Sequence, residues 1–206
     1  MLFTIVVLII SIIIHEVAHG YAASALGDPT AKMAGRLTMN PLPHIDPIGS
    51  ILIPGFLVLS GASILFGWAK PVPYNPYNLK NQRWGEAIVG VAGVATNLLL
   101  AVVFALIARF AYSAGYAEFG DVSALIVFVN LFLGLFNLIP IPPLDGFTVL
   151  RGILPYKAQV TLRNLEDRMR AGGILTLIIL LFVFSYVLAG PFFNFVRFVF
   201  DILVGS

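Results

Sequence analysis

Three residues near the start of the chain, His15, Glu16 and His19, have the types and spacing of a metal site that activates water. Residues 15–20 read His-Glu-Val-Ala-His-Gly, which is the H-E-x-x-H pattern. On a helix, residues i and i+4 lie on one face, so both imidazoles can bind one ion while Glu16 takes a proton from bound water. Zinc suits this chemistry because a catalytic zinc site uses three protein ligands and keeps a fourth position open. The pattern therefore indicates zinc-assisted hydrolysis.

The alternative is that the two histidines are ordinary helix residues whose rings are satisfied by hydrogen bonds. The run 2–26 around them is apolar, and ionisable groups within a membrane segment are costly and by default mark a functional site. Three such groups within five residues need a common partner, which a cation supplies. The chain has no cysteine, so any metal must be held by histidine and carboxylate.

A third ligand is expected at Asp145, directly after a break in a long apolar segment. Residues 137–146 read Asn-Leu-Ile-Pro-Ile-Pro-Pro-Leu-Asp-Gly, and the prolines remove amide donors and end the helix. Such a break at membrane depth is tolerated only where the backbone is buried in protein or lines a wet cavity. Asp145 can point into that cavity as a ligand. Otherwise it marks a turn, or caps a helix that runs through Arg151.

The composition places these motifs in a membrane protein. Of the 206 residues, 59% are hydrophobic and 11% charged, and the mean hydropathy is +0.97. Soluble proteins carry about a quarter charged residues, so the expected partner is the lipid bilayer. The net charge of +2 comes with no basic block, which argues against nucleic acid. We expect one membrane domain over residues 1–206, with a catalytic core at 1–155 and C-terminal membrane helices at 172–204.

The apolar stretches predict an all-α polytopic membrane protein. Its expected parts are a three-helix catalytic core, one or more C-terminal helices, and a re-entrant or β-hairpin insertion after the first helix. The stretches are 2–26, 48–66, 87–110, 122–139 and 174–189, followed by a Phe-rich tail at 192–204. The tail either lies in the membrane interface or forms a short return span.

The stretch 48–66 either crosses the bilayer or dips in and returns, because proline and glycine interrupt it. A return places ten loop lysines and arginines on one side and none in the opposite loop 111–121, which makes the basic side cytosolic. A return also lets the first helix and the stretch before Asp145 run in the same direction, as their meeting requires. The Pro/Asn-rich stretch 67–80 is where a hairpin is expected, with an edge that receives extended substrate.

The third apolar stretch carries a narrow face of mostly small residues. These residues follow helical spacing and are Glu86, Gly90, Gly93, Asn97 and Ala101. Small residues let membrane helices approach closely, so packing explains the glycines. Asn97 is either an interhelical hydrogen-bonding group or a residue of the site.

Taken together, these motifs make the chain resemble the site-2 protease family of intramembrane zinc metalloproteases. Four stretches in the same order carry the resemblance, together with a glycine-to-asparagine motif at 93–97: 15–20, 35–47, 67–73 and 137–146. The resemblance implies one zinc ion bound by His15, His19 and Asp145, with Glu16 as the base. It also suggests that Asn97 or Asn137 holds the substrate backbone or the developing oxyanion.

The resemblance further implies a multi-pass protease of the cell membrane whose active site opens toward the cytosol. Family members cut membrane-anchored regulatory proteins and release a cytosolic fragment. We expect a compact member without the PDZ or CBS domain that many members carry. Two alternatives remain: an ion or proton transporter, and a homologue that binds membrane helices without cutting them. The transporter fits less well because the polar groups cluster at one level and no polar path continues along the first helix.

Overall fold

A computed structural model describes residues 2–60 and 67–205, and over these residues the chain is helical and contains no strand. The α-helices are α1 Leu2–Ala25, α2 Thr30–Met33, α3 Ile53–Leu59, α4 Gly85–Ser113, α5 Ala117–Asn137, α6 Asp145–Ile153, α7 Tyr156–Ala171, α8 Gly173–Val183 and α9 Ala189–Val204. Four helical segments are long and apolar enough to cross a membrane: Phe3–Ala25, Gly85–Ser113, Ala117–Asn137 and Ile178–Val204. The prediction of an all-α polytopic membrane protein is confirmed.

The core is formed by α1, α4 and α5, as the three-helix prediction requires. Small residues line the α4 side of the interface with α5 and α9, where Ala101, Ala105 and Ala108 are almost completely buried. Without a hydrophobic driving force between helices in lipid, association depends on close van der Waals packing and on interhelical hydrogen bonds, and alanine and glycine permit that approach. The three helices therefore enclose a tightly packed centre in which the polar residues of α1 lie.

After α2 the chain folds back on itself, so that residues 49–50 lie beside residue 68. A π-helical turn, Pro47–Leu52, leads into α3. Eighteen residues further on, the Ser50 hydroxyl donates to the carbonyl of Trp68 at 2.8 Å, and the Trp68 amide donates to the carbonyl of Gly49 at 3.1 Å. The apolar helix here, Pro47–Phe56, is too short to span a bilayer. These contacts support the re-entrant form of the insertion, although the part of the stretch at 61–66 lies outside the described residues.

The hairpin form of the insertion is absent from the described part of 67–80. Residues 67–75 form neither helix nor strand, and a 3-10 turn, Pro76–Asn78, follows. Pro71, Pro73 and Pro76 have no N–H group to donate to a strand ladder, which explains the difference. The segment is instead attached to the end of α1, where the Lys80 amide donates to the carbonyl of Leu26 at 2.8 Å.

A buried carboxylate, Asp28, anchors the same segment just beyond α1. Its Oδ1 accepts from the Thr30 hydroxyl at 2.6 Å and from the Asn78 side-chain amide at 2.9 Å, and its Oδ2 accepts from the Asn75 amide at 2.7 Å. Burial opposes ionisation, but these hydrogen bonds outweigh it and hold the pKa of Asp28 below its ordinary value. The ionised side chain thus fixes residues 75–78 against the first helix.

The C-terminal residues form one long candidate span rather than a separate tail. α8 and α9 are joined by a π-helical turn, Phe184–Leu188, and together they supply the span Ile178–Val204. Phe192 and Phe193 pack against Phe132 of α5, with ring centroids 5.6 and 5.7 Å apart. The tail at 192–204 is therefore the second half of a helical segment long and apolar enough to cross a membrane, whereas the sequence suggested an interfacial segment or a short return.

The position of α6 is fixed by close contact with α4 and by a buried arginine. A Cβ added at Gly152 would lie 2.5 Å from the backbone nitrogen of Ala87, so the two helices touch there without intervening side chains. Arg151 is 7% exposed and pairs with Glu86 at the start of α4 and with Glu166 of α7. These contacts hold the first residue of α6, Asp145, in a set place relative to α4.

Candidate metal centre

The histidines at 15 and 19 lie one helical turn apart on α1 and face the interior of the bundle. His15 is 5% exposed and His19 is 8% exposed. The Nδ1 atom of His15 lies 2.6 Å from Oδ1 of Asn97, and the Nδ1 atom of His19 lies 2.7 Å from the carbonyl oxygen of Val89. Both partners belong to α4, which therefore orients the two rings so that their Nε2 atoms converge, 3.1 Å apart.

The third donor is Asp145, the first residue of α6, and the break after α5 brings it to the two rings. Its Oδ2 lies 2.9 Å from Nε2 of His15 and 3.2 Å from Nε2 of His19. The same oxygen is buried and has no hydrogen-bond partner other than these two ring nitrogens. The structure thus brings together the three residues proposed as metal ligands from sequence, and these three form a group that could hold a metal ion.

The hydrogen bonds of the two rings indicate that both Nδ1 atoms carry a proton. A carbonyl oxygen only accepts, so Nδ1 of His19 donates to Val89; the placed Oδ1 of Asn97 requires the same of His15. A neutral imidazole that donates through Nδ1 has a lone pair on Nε2. When both rings are neutral, two nitrogen lone pairs and one carboxylate oxygen point at one another. Such an arrangement is repulsive unless a metal ion lies among the three atoms or a ring takes up a second proton and donates it to Asp145.

The distances between the donors fit a zinc ion. Tetrahedral coordination with bonds of about 2.0–2.1 Å separates neighbouring ligand atoms by about 3.3–3.4 Å. The three observed separations are 2.9, 3.1 and 3.2 Å, slightly shorter than that value. Two imidazoles with one carboxylate form one of the known ligand sets of catalytic zinc. The residues present therefore fit the metal that the H-E-x-x-H pattern predicts.

Gly93 of α4 leaves the space that these rings occupy. A Cβ added there would lie 2.4 Å from Nε2 of His19 and 2.7 Å from Cε1 of His15, closer than real contacts allow. The sequence indicated a packing role for this glycine in a stripe of small residues. The structure places it directly against both imidazoles, so the close approach of α1 and α4 also shapes the candidate metal site.

Glu16, the residue after His15 on α1, is held by a backbone amide from outside that helix. Its Oε2 accepts a hydrogen bond from the backbone amide of Val72 at 2.8 Å, and its side chain is partly exposed. Val72 belongs to the irregular segment 67–75, which passes along α1: a Cβ added at Gly20 would lie 2.9 Å from Cγ1 of Val72. The proposed base is therefore positioned by the segment that follows the re-entrant loop.

The two asparagines proposed as substrate or oxyanion groups have different environments. Asn97 is fully buried; its Oδ1 faces His15, and its Nδ2 donates to Oδ1 of Asn130 at 3.1 Å. Asn137, at the end of α5, donates to the carbonyl of Leu133 in its own helix. Asn97 thus acts as an interhelical hydrogen-bonding group in the structure, and a role in substrate binding remains a prediction for both residues.

Asn130 is a residue of this network that the sequence reasoning missed. It is fully buried in the middle of the apolar helix α5 and bonds to both neighbouring helices. A polar amide at the centre of a membrane helix is an expensive group, and that cost was the available signal.

Comparison with known proteins agrees with the chemistry of this group. Residues 113–184 match the family described as Peptidase family M50. A Bacillus subtilis protein named "Putative zinc metalloprotease YwhC" is 38% identical over 175 residues, which cover 80% of this chain and 75% of that protein. The chain belongs to peptidase family M50. The resemblance to site-2 proteases and the prediction of a zinc metalloendopeptidase are confirmed at the level of the family.

Two less similar proteins are also named as zinc metalloproteases. A Mycolicibacterium smegmatis protein named "Putative zinc metalloprotease Rip2" is 29% identical, with 84% of this chain aligned to 64% of its length. "Zinc metalloprotease MJ0392" of Methanocaldococcus jannaschii is 27% identical, with 86% of this chain aligned to 41% of its length. No solved structure matches the chain. With its four candidate spans, this M50 member is a multi-pass membrane protein.

Proposed function

We propose that this M50 peptidase is an intramembrane endopeptidase that holds one zinc ion between His15, His19 and Asp145. The observation that carries the proposal is the convergence of three buried acceptor atoms within 3.2 Å of one another. In the neutral rings each Nε2 lone pair is directed inward, toward a buried carboxylate oxygen that has no other partner. A divalent cation is the partner that satisfies all three at once.

Glu16 moves the protons of the reaction. When bound, zinc supplies Lewis acidity, which lowers the pKa of a coordinated water to about 7 and polarises the scissile carbonyl. Glu16 takes the proton of the attacking water and gives it to the leaving amine as general base and then general acid. The Val72 amide, 2.8 Å from Oε2, holds that carboxylate beside the histidines while its other oxygen remains for the proton.

The depth of the site supports a membrane-anchored substrate. His15 is thirteen residues from Leu2 along α1, which corresponds to about 20 Å at 1.5 Å per residue, well inside a hydrocarbon core of about 30 Å. A peptide bond at that depth belongs to a chain that itself enters the bilayer. We infer that the substrates are membrane-anchored regulatory proteins and that the chain works as a single membrane domain.

The distribution of basic residues supports a cytosolic opening. Asp145 lies at the end of the bundle where Arg151 and Arg163 bind Glu86, and where Lys80 follows the irregular segment. The connection between α4 and α5 at the other end, residues 114–116, contains no lysine or arginine. Because cytoplasmic loops collect lysine and arginine, cleavage is expected to release a fragment into the cytosol.

The test is cleavage of a membrane-anchored reporter by protein reconstituted in liposomes. Replacing Glu16 by glutamine keeps the size of the side chain and removes the proton acceptor, so cleavage should fall about 10²- to 10⁴-fold. Zinc content should stay at one ion per chain. Glu118→Gln, an exposed glutamate in the first turn of α5, is the matched control and should cleave at the wild-type rate. Unimpaired cleavage by Glu16→Gln would remove this residue from the mechanism.

A further inference from the structure

Asn130 links all three helices of the core at a fully buried position. Its side-chain amide Nδ2 donates to the carbonyl of Ile126 at 2.9 Å and to the hydroxyl of Ser11 on α1 at 3.0 Å. Its Oδ1 accepts from Nδ2 of Asn97 on α4 at 3.1 Å. Every polar atom of this amide is therefore used, although Asn130 itself touches neither a proposed ligand nor the metal position.

The direction of these hydrogen bonds is fixed by a main-chain carbonyl. The oxygen of Ile126 can only accept, so the Asn130 atom beside it must be the NH₂ group, and Oδ1 must face Asn97. Because this oxygen can only accept, the Asn97 group beside it must be NH₂, and Oδ1 of Asn97 is then turned toward His15. Nδ1 of His15 must then carry the proton. The carbonyl of Ile126 thus sets the tautomer of His15 through two amides.

Asn97 alone does not determine that tautomer. A side-chain amide presents an acceptor on one side and a donor on the other, and a rotation by about 180° exchanges them. With its NH₂ group toward His15, Asn97 would need a lone pair on Nδ1, which puts the proton on Nε2, the atom that faces Asp145. A protonated Nε2 has no lone pair for a metal. The orientation of Asn97 therefore decides whether His15 can be a ligand.

His19 shows why only one of the two rings needs this support. Its Nδ1 donates directly to the backbone carbonyl of Val89, which has no alternative orientation. In the neutral ring the helix backbone therefore fixes the lone pair on Nε2. His15 has a reversible side-chain amide in the equivalent place, and only the bond from Asn97 to Asn130 makes that amide directional.

We propose that Asn130 is a positioning residue that keeps the Nε2 lone pair of His15 available for zinc by fixing the orientation of Asn97. The inference rests on the proposed zinc site and adds to it a residue on a third helix. Groups beyond the ligands of a metal typically change metal affinity by about 10- to 100-fold when they are removed. An effect of that size is expected here, transmitted entirely through Asn97.

The experiment is a double-mutant cycle read out as zinc affinity, measured by competition with a chelator in purified full-length protein. Asn130→Leu and Asn97→Leu keep the approximate size of the side chains, and each should weaken zinc binding about 10- to 100-fold. In the Asn97→Leu background, the second substitution should change the dissociation constant by less than about twofold, because its only route to His15 is already lost. If Asn130 reached the site by another route, such as its bond to Ser11 on α1, the two effects would instead multiply.

Two further variants separate this role from general damage to the fold. Asn130→Asp, which burial keeps protonated, retains an oxygen that accepts from Asn97 and an O–H that donates to the Ile126 carbonyl, so it should bind zinc within a few-fold of wild type even if Asn130→Leu does not fold. Ser123→Ala removes a different buried polar group of α5, a hydroxyl that donates within its own helix, and should leave zinc affinity unchanged.

The outcomes distinguish this inference from the proposed function. If wild-type protein binds zinc and Asn130→Leu binds it with equal affinity, the proposed role of Asn130 is overturned and the zinc site stands. Multiplied effects in the cycle, or folded Asn130→Asp as weak as Asn97→Leu, would overturn it as well. Wild-type protein that binds no zinc would contradict the proposed function itself.

Discussion

Replacing Gly93 by alanine should disable the metal site while leaving the helices in place. The added Cβ would lie 2.4 Å from Nε2 of His19, whereas ordinary contacts begin at 3.4 Å, so the ring must retreat by about 1 Å. Metal–ligand distances vary by only about 0.2 Å in working sites. A misplacement of about 1 Å at a reacting centre costs about 10²-fold in rate, and we expect losses of that order in both zinc affinity and cleavage.

Gly90 provides the matched control on the same helix, one turn earlier. A Cβ there would meet the end of the Val149 side chain at 3.1 Å, which requires a shift of only a few tenths of an ångström, and the carbonyl oxygen of Asp145 at 3.4 Å, which is an ordinary van der Waals contact. Both substitutions gain about 1 kcal/mol of helix propensity, so a difference between them reports the site rather than the helix.

The assay pairs zinc competition with cleavage of a membrane-anchored reporter, after thermal unfolding has shown that both variants fold. Gly90→Ala should stay within a few-fold of wild type in both measurements. Gly93→Ala with wild-type zinc affinity would refute the reasoning, because it would mean that the rings do not need the space this glycine leaves.

Two further predictions concern the segment that follows the re-entrant loop. Val72→Pro removes the amide that holds Glu16, so cleavage should fall about tenfold or more while zinc affinity is retained; equal loss of both would show that the substitution disturbs the metal site itself. Asp28→Asn loses charge-assisted hydrogen bonds and should lower the free energy of unfolding by about 1.5–3 kcal/mol at pH 7, as measured by thermal unfolding. The pKa of Asp28 is lowered in the folded protein, so the difference in free energy of unfolding between wild type and Asp28→Asn should be complete above about pH 3.9, the pKa of an unfolded aspartate. This difference should disappear as the pH falls through the pKa of Asp28 in the folded protein. A difference that grows with acidity would contradict this.

Features that depend on local spacing were predictable from the sequence. The convergence of His15 and His19 follows from helical geometry, because residues four apart share a face. Asp145 was found by combining a proline break with the cost of exposed backbone in a membrane. The re-entrant insertion followed from the one-sided distribution of loop lysines and arginines and from the need for α1 and α5 to run in the same direction. The contacts between Trp68 and Gly49 agree with it.

Features that depend on tertiary hydrogen bonds were not predictable in this way. The sequence marks Asn97 and Asn130 as polar residues in apolar helices, but the direction in which each amide points depends on partners from three different helices. The segment 67–80 lacks the hairpin because its prolines cannot donate to a ladder, and the sequence reasoning gave them too little weight. The attachment of Glu16 to the Val72 amide likewise requires knowledge of where that irregular segment lies.

A direct test of the metal site is the zinc content of the Asp145→Ala variant. It is measured beside wild type after dialysis against a weak chelator. We expect one zinc ion per wild-type chain and little or none in the variant, since two imidazoles alone do not complete a catalytic zinc site. Zinc retained undiminished by Asp145→Ala would contradict the assignment, because a carboxylate 2.9 and 3.2 Å from the two rings would then have no part in holding the ion.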